Sequence, residues 1–215
     1  MSAIWAVVPV KETSAAKQRL AGALPPALRR ELALAMLEDV LAALANARGL
    51  AGVLVVTVDP AAQRIGLRHR AEISGEHACD GHTAAVMGAA RQLTARGSAM
   101  LTLPGDVPLT TAAEIEQVIA AYHRGNRFTI VPARDERGSN AILAAPADAV
   151  PLRFGEDSFF PHLAAARACG IEPAILHLPG VGLDIDTQDD LAAFLARPSN
   201  TRAHAILETA GVRAA

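Results

Sequence analysis

Four short apolar runs punctuate the chain, each closed by a turn residue. They cover residues 4–8 before Pro9, 52–58 before Asp59-Pro60, 99–103 before Pro104-Gly105 and 128–131 before Pro132. Runs of this length without polar alternation are what strands buried on both faces look like. Between them the apolar spacing changes to the helical period of about 3.6 residues. In residues 25–47 that spacing is carried by Leu28, Leu32, Met36, Leu37, Val40, Leu41 and Leu44, which predicts a helix. Residues 83–95, 111–122, 158–169 and 187–195 predict further helices. Thr111 followed by Glu114 is a capping-box signature. A fifth apolar strand spans 141–144, and a last helix at about 199–211 is expected to pack on the domain or lie at its periphery. The alternation predicts an α/β fold: one domain over residues 1–215, a mostly parallel central sheet and helices on both faces.

Composition supports a buried core, with 51% hydrophobic and 20% charged residues. A net charge of −2 argues against non-specific nucleic-acid binding, which needs a basic surplus. No apolar run approaches the ~18 residues of a membrane span, and the first apolar run is too short for a signal peptide. A cytoplasmic protein with neither membrane nor nucleic acid as partner is the expectation. Cys79 and Cys169 form no CxxC pattern and read as small buried hydrophobes. The seven histidines show no HxH or HExxH spacing, which argues against zinc. Of 20 basic residues only Lys11 and Lys17 are lysines.

In open α/β sheets ligands gather beyond the carboxyl ends of the strands. The segment after the first run, Val8-Pro9-Val10-Lys11 through Lys17-Gln18-Arg19, carries three cations. It suits a polyphosphate, though a solvated basic loop reads the same way and no GxxxxGK[ST] pattern is present. Asp106, in Pro104-Gly105-Asp106-Val107-Pro108, is a natural Mg²⁺ ligand or else a turn residue before the next helix. Asp184 and Asp186 alternate, so on extended backbone both carboxylates share one face. Like charges that close need a cation, which makes Asp106, Asp184 and Asp186 the candidate metal set. Thr187 reads as the cap of the following helix. Gly155 and Ser158 precede a helix whose free amides attract an anion such as phosphate, and Ser158 is alternatively only its cap.

Taken together, five segments resemble the 2-phospho-L-lactate guanylyltransferase family, relatives of the molybdenum-cofactor nucleotidyltransferases. They are VPVK with AKQRL (8–20), LPGDVPL (103–109), VPARDERGSNA (131–141), RFGEDSF (153–159) and LDIDT (183–187), in order from residue 4 to about 195. The resemblance implies a glycosyltransferase-A-type, Rossmann-like nucleotidyltransferase fold. It implies GMP transfer from GTP to the phosphate of 2-phospholactate, phosphoenolpyruvate or 3-phosphoglycerate, with release of pyrophosphate, in deazaflavin coenzyme biosynthesis. Carried over, Lys11, Lys17 and Arg19 would be catalytic and hold the triphosphate. Val8, Pro9, Val10, Lys11, Gly81, His82 and Thr83 would bind the nucleotide. Asp106, Asp184 and Asp186 would hold Mg²⁺, and Ser139, Gly155 and Ser158 the acceptor phosphate. A homodimer is compatible with the resemblance. His82-Thr83 stand where the family commonly has Leu-Asn, so His82 is either a base or ribose contact or an exposed loop histidine.

Overall fold

The computed structural model describes residues 2–155 and 157–213. Among them run seven strands: β1 (Ile4–Pro9), β2 (Leu50–Val56), β3 (Glu72–Ser74), β4 (Ala99–Thr102), β5 (Phe128–Pro132), β6 (Ser139–Ala144) and β7 (Ala174–Ile175). The seven α-helices are α1 (Pro26–Asn46), α2 (Pro60–Arg68), α3 (His82–Ala95), α4 (Ala112–His123), α5 (Phe159–Ala168), α6 (Gln188–Leu195) and α7 (Arg202–Thr209). The sheet order is β3-β2-β1-β4-β6-β5-β7. Four of its six pairings join two of the expected strands, the other two add the edge strands β3 and β7, and only β6 runs antiparallel, against β4 and β5.

Side-chain alternation explains the two covered faces. Ile4, Ala6 and Val8 of β1 pack with Leu37, Val40 and Leu41 of α1 and Ile115 and Ile119 of α4. Val7 packs on the other face with Val86, Ala90 and Leu93 of α3 and with Phe159 and Leu163 of α5. Both layers bury whole aliphatic side chains, each worth about 1.5–3 kcal/mol relative to exposure. A third cluster joins α1 to α6 and α7 through Leu32, Met36, Phe194 and Leu207. The last helix is thus packed: Asp39 of α1 accepts the backbone amides of Arg202 and Ala203 at 2.8 and 2.9 Å.

The caps follow the sequence. Thr111 and Glu114 form the reciprocal capping box of α4, and Thr187 and Asp190 form one for α6. Three elements went unpredicted: α2, β3 and β7. Asp59 caps α2 through the amides of Ala61 and Ala62, with Pro60 as the first helical residue. Both cysteines are exposed, correcting their reading as buried hydrophobes. No described helix is long and apolar enough to cross a membrane.

Candidate active site

A cleft of about 870 Å³ opens over the carboxyl ends of β1 and β4. Because β6 is antiparallel, it presents its first residues, Ser139 and Asn140, at this same edge. Lys11, Lys17 and Arg19 line the cleft, as do Pro9, Val10, Gly81, His82, Thr83, Asp106, Ser139, Gly155, Ser158, Asp184 and Asp186. Of the expected residues, Val8 alone is not in its wall. Its side chain is fully buried under α1 in the sheet core.

The basic loop is shaped by two single turns of 3-10 helix, Thr13–Ala15 and Gln18–Leu20. Asp59 anchors the first. One carboxylate oxygen takes the amide of Thr13 at 2.8 Å and its hydroxyl at 2.6 Å, while the other caps α2. Burial opposes the charge on Asp59, but the Thr13 and helix-cap hydrogen bonds prevail and hold its carboxyl at about 2. Lys17 takes a left-handed backbone conformation, φ 53°, as the cap of the second turn. Its ammonium donates to Asp106 Oδ2 at 2.7 Å and Asp186 Oδ1 at 2.6 Å, with its side chain only 9% exposed. Burial alone would push the Lys17 ammonium down, yet Asp106 and Asp186 outweigh it and raise the group above its ordinary value. Burial likewise works against the Asp186 charge, and Lys17, Arg19 and Lys11 overcome it and hold the carboxyl low.

The alternation of Asp184 and Asp186 places both in the cleft wall, with Ile185 fully buried between them. The segment is tied to Asp106, whose carbonyl accepts the Ile185 amide at 3.1 Å. Asn140, which the sequence reading passed over, donates to Asp184 Oδ1 and to the Val181 carbonyl, both at 3.0 Å. Asp184 is raised chiefly by burial, with the neighbouring Asp106 and Asp186 charges adding to it and the Asn140 bond opposing. Asp106 Oδ1 is buried without a hydrogen-bond partner. Among the described residues no three carboxylate, imidazole or thiolate groups stand together as a finished metal cage. Lys17 occupies the space between two of the three candidate carboxylates.

Gly81 caps α3 at φ +96°, a backbone region that only glycine enters without strain, and it leaves the helix start without a side-chain cap. His82 and Thr83 open that helix. The His82 ring meets Phe154 edge-on at 4.6 Å, so it is no free loop side chain. Burial pushes it down to about 4, with Asp106 opposing and Lys11 adding, so it is neutral at pH 7. The Thr83 hydroxyl accepts the Phe154 amide at 3.0 Å and donates to the Phe154 carbonyl at 3.3 Å. His82 and Thr83 thus grip the loop leading to Gly155 and Ser158 through Phe154. Ser158 does not cap α5 with its side chain; its hydroxyl donates to Ser139 Oγ at 3.4 Å. Ser139 also meets buried His162, another residue that sequence reasoning did not single out.

The arrangement gathers three cations, three carboxylates and a pair of serine hydroxyls near a helix start into one cleft. That suits two anionic ligands meeting. A family model described as "Guanylyl transferase CofC like" matches residues 4–214. A phosphoenolpyruvate guanylyltransferase of Conexibacter woesei is 39% identical over 88% of this chain and 86% of its own. One of Rubrobacter xylanophilus is 37% identical over 88% of this chain and 92% of its own. A structure assigned as a nucleotide-diphospho-sugar transferase, from Desulfovibrio desulfuricans, superposes with a TM-score of 0.79. It covers 98% of this chain and 96% of its own at 18% identity, a likeness of fold.

Proposed function

This chain belongs to the CofC-like guanylyl transferase family, a family of nucleotidyltransferases, and from that premise we propose that it joins GMP from GTP to a phosphorylated small acid. The acceptor we propose is phosphoenolpyruvate, which the relatives' names carry, ahead of 2-phospholactate and 3-phosphoglycerate. The product would feed deazaflavin coenzyme biosynthesis. The observation that carries the reading is that one cleft is lined both by the Lys17–Asp106–Asp186 ion cluster and by the Ser139–Ser158 hydroxyl pair.

The reaction is an in-line displacement at the α-phosphorus of GTP by an oxygen of the acceptor phosphate. The new P–O bond forms as the bond to pyrophosphate breaks. An ionised phosphate oxygen needs no general base, so the protein's part is positioning and charge neutralisation. Lys11 and Arg19 line the approach to the triphosphate. Lys17 has three N–H bonds; two hold Asp106 and Asp186, and the third is suited to a phosphate oxygen. Ser139, Ser158 and the backbone at Gly155, which line the same cleft, would receive the acceptor phosphate.

The residues fit Mg²⁺. All three candidate donors are hard carboxylates, Asp106 Oδ1 is buried without a partner, and Lys17 pairs with only Asp106 and Asp186 of the three. Asp106, Asp184 and Asp186 would hold the ion, which when bound neutralises phosphate charge and draws two anionic reactants together. The test is pyrophosphate release. GTP with phosphoenolpyruvate and Mg²⁺ should yield one pyrophosphate per GTP consumed, with less from the other acids, less from CTP and none with EDTA. GTP binding without release from any acceptor would overturn the reading in favour of a nucleotide-binding protein.

A further inference from the structure

His162 sits in the first turns of α5, 1% exposed, and does not line the cleft. Its ring contacts Phe154 edge-on at 5.0 Å. Its Nε2 accepts the backbone amide of Arg153 at 3.0 Å. A nitrogen that accepts carries no proton, so the proton of the neutral ring is on Nδ1. Nδ1 lies 2.9 Å from Ser139 Oγ and donates to it. Burial lowers the imidazole to about 4, which keeps the ring neutral and this tautomer in place at pH 7.

The consequence falls on Ser139. A hydroxyl oxygen has two lone pairs and one O–H. His162 takes one lone pair and the Ser158 hydroxyl, at 3.4 Å, the other. The O–H of Ser139 is then left to donate, and Ser139 is in the cleft wall. A phosphate monoester presents only acceptors, so a hydroxyl that turned a lone pair toward it would repel it. From this network we infer that His162 is a positioning residue that locks Ser139 as a donor toward the acceptor's phosphate monoester. The inference rests on the acceptor side of the proposed function. It identifies what that side selects: a terminal phosphate with acceptor oxygens only.

Steady-state kinetics with phosphoenolpyruvate and GTP separate the possibilities. His162→Gln keeps an acceptor for the Arg153 amide but loses the donor to Ser139. It should raise the phosphoenolpyruvate KM about 3- to 10-fold, the scale of one hydrogen bond, and leave the GTP KM within about twofold. His162→Asn keeps a donor at the Nδ1 position and should restore the phosphoenolpyruvate KM. Ser139→Ala should raise that KM similarly, and adding His162→Gln to it should change nothing more. Equal damage to both KM values, or full additivity with Ser139→Ala, would overturn the inference. So would an unchanged KM in His162→Gln when Ser139→Ala alone impairs; an unchanged KM in Ser139→Ala would instead sink the acceptor-side reading and the inference with it. In the wild-type protein, nitrogen NMR of the histidines needs no variant to fold. It should find the His162 proton on Nδ1 between pH 6 and 8, and a proton on Nε2 would overturn the inference.

Discussion

Asp59 joins fold stability to the cleft, and Asp59→Asn tests that join. The buried carboxylate accepts four hydrogen bonds: from Ala61 and Ala62 at the start of α2, and from the amide and hydroxyl of Thr13 in the basic loop. Asparagine can keep an oxygen toward the helix, but its amide group then faces the Thr13 amide, donor against donor. One buried amide left without an acceptor costs about 1–3 kcal/mol. The carboxyl gives an independent figure. Held at about 2 against an ordinary 3.8, it favours its charged, hydrogen-bonded form by about 2.5 kcal/mol. Both routes put the loss near 2–3 kcal/mol at pH 7. The sign follows from the depressed folded value. This contribution is full above the unfolded value of 3.8 and is lost as the pH falls toward 2, with about 1 kcal/mol gone by pH 3. Asparagine cannot titrate, so the gap between wild type and variant should narrow in acid. Urea unfolding at pH 7 and pH 3 measures both gaps. Because Thr13 anchors the loop that carries Lys11 and Lys17, the GTP KM should also rise, by at least about threefold. A variant within about 0.5 kcal/mol of wild type at pH 7, or a gap that stays constant to pH 3, would refute the reasoning.

Asp106→Ala should lower kcat by at least ~10²-fold, the scale of losing a key electrostatic group, and near-normal turnover at saturating Mg²⁺ would remove Asp106 from the site. Lys17→Arg should impair turnover to a similar degree, and Lys11→Arg more mildly, since a planar fork cannot replace a point charge; full activity in both would show that the loop does not grip the triphosphate. Because His162 is held at about 4 when folded and returns to 6.5 when unfolded, stability is full above pH 6.5 and declines toward pH 4. By pH 5 this one group accounts for about 2 kcal/mol, and a thermal-unfolding midpoint that is flat from pH 7 to 5 would contradict its burial. Leu207→Ala, at a fully buried site between α7 and α1, should cost about 2–4 kcal/mol while leaving kcat within twofold, as unfolding and activity assays would show.

The central sheet was legible because its strands are buried on both faces and therefore read as unbroken apolar runs. The edge strands were not. Glu72–Ser74 and Ala174–Ile175 are three and two residues long and partly exposed, too short for any period to register. Helix α2 buries Ala61, Ala62, Ile65 and Gly66, mostly residues too small to stand out as an apolar stripe. Its signal was the Asp59-Pro60 cap pair, which the sequence reading used only to end a strand. The cleft's wall was largely predictable because strand ends converge by topology. His162 and Asn140 were not, since their roles depend on partners 23 and 44 residues away. Nor could the sequence show that Thr83 would bind Phe154 backbone on both its donor and acceptor sides.

The two lysines of an otherwise arginine-rich chain now divide. Lys11 is an exposed cation on the cleft rim, whereas Lys17 is a buried part of the site's frame. Its left-handed backbone is a conformation that costs a non-glycine residue about 1 kcal/mol or more, and burying an ammonium costs several more. What opposes both costs is the pair of carboxylates at 2.7 and 2.6 Å. A guanidinium would have to fit its planar fork into a slot sized for one nitrogen. The dependence also runs the other way. Without Lys17, Asp106 and Asp186 would lose the cation that bridges them, with Asp184 nearby and only the Arg19 and Lys11 charges left to offset Asp186. The basic loop after β1 and the acidic segment before α6 are therefore one electrostatic unit, though 169 residues separate Lys17 from Asp186. A change at either end should be felt at the other as a loss of order in the whole phosphate side of the cleft.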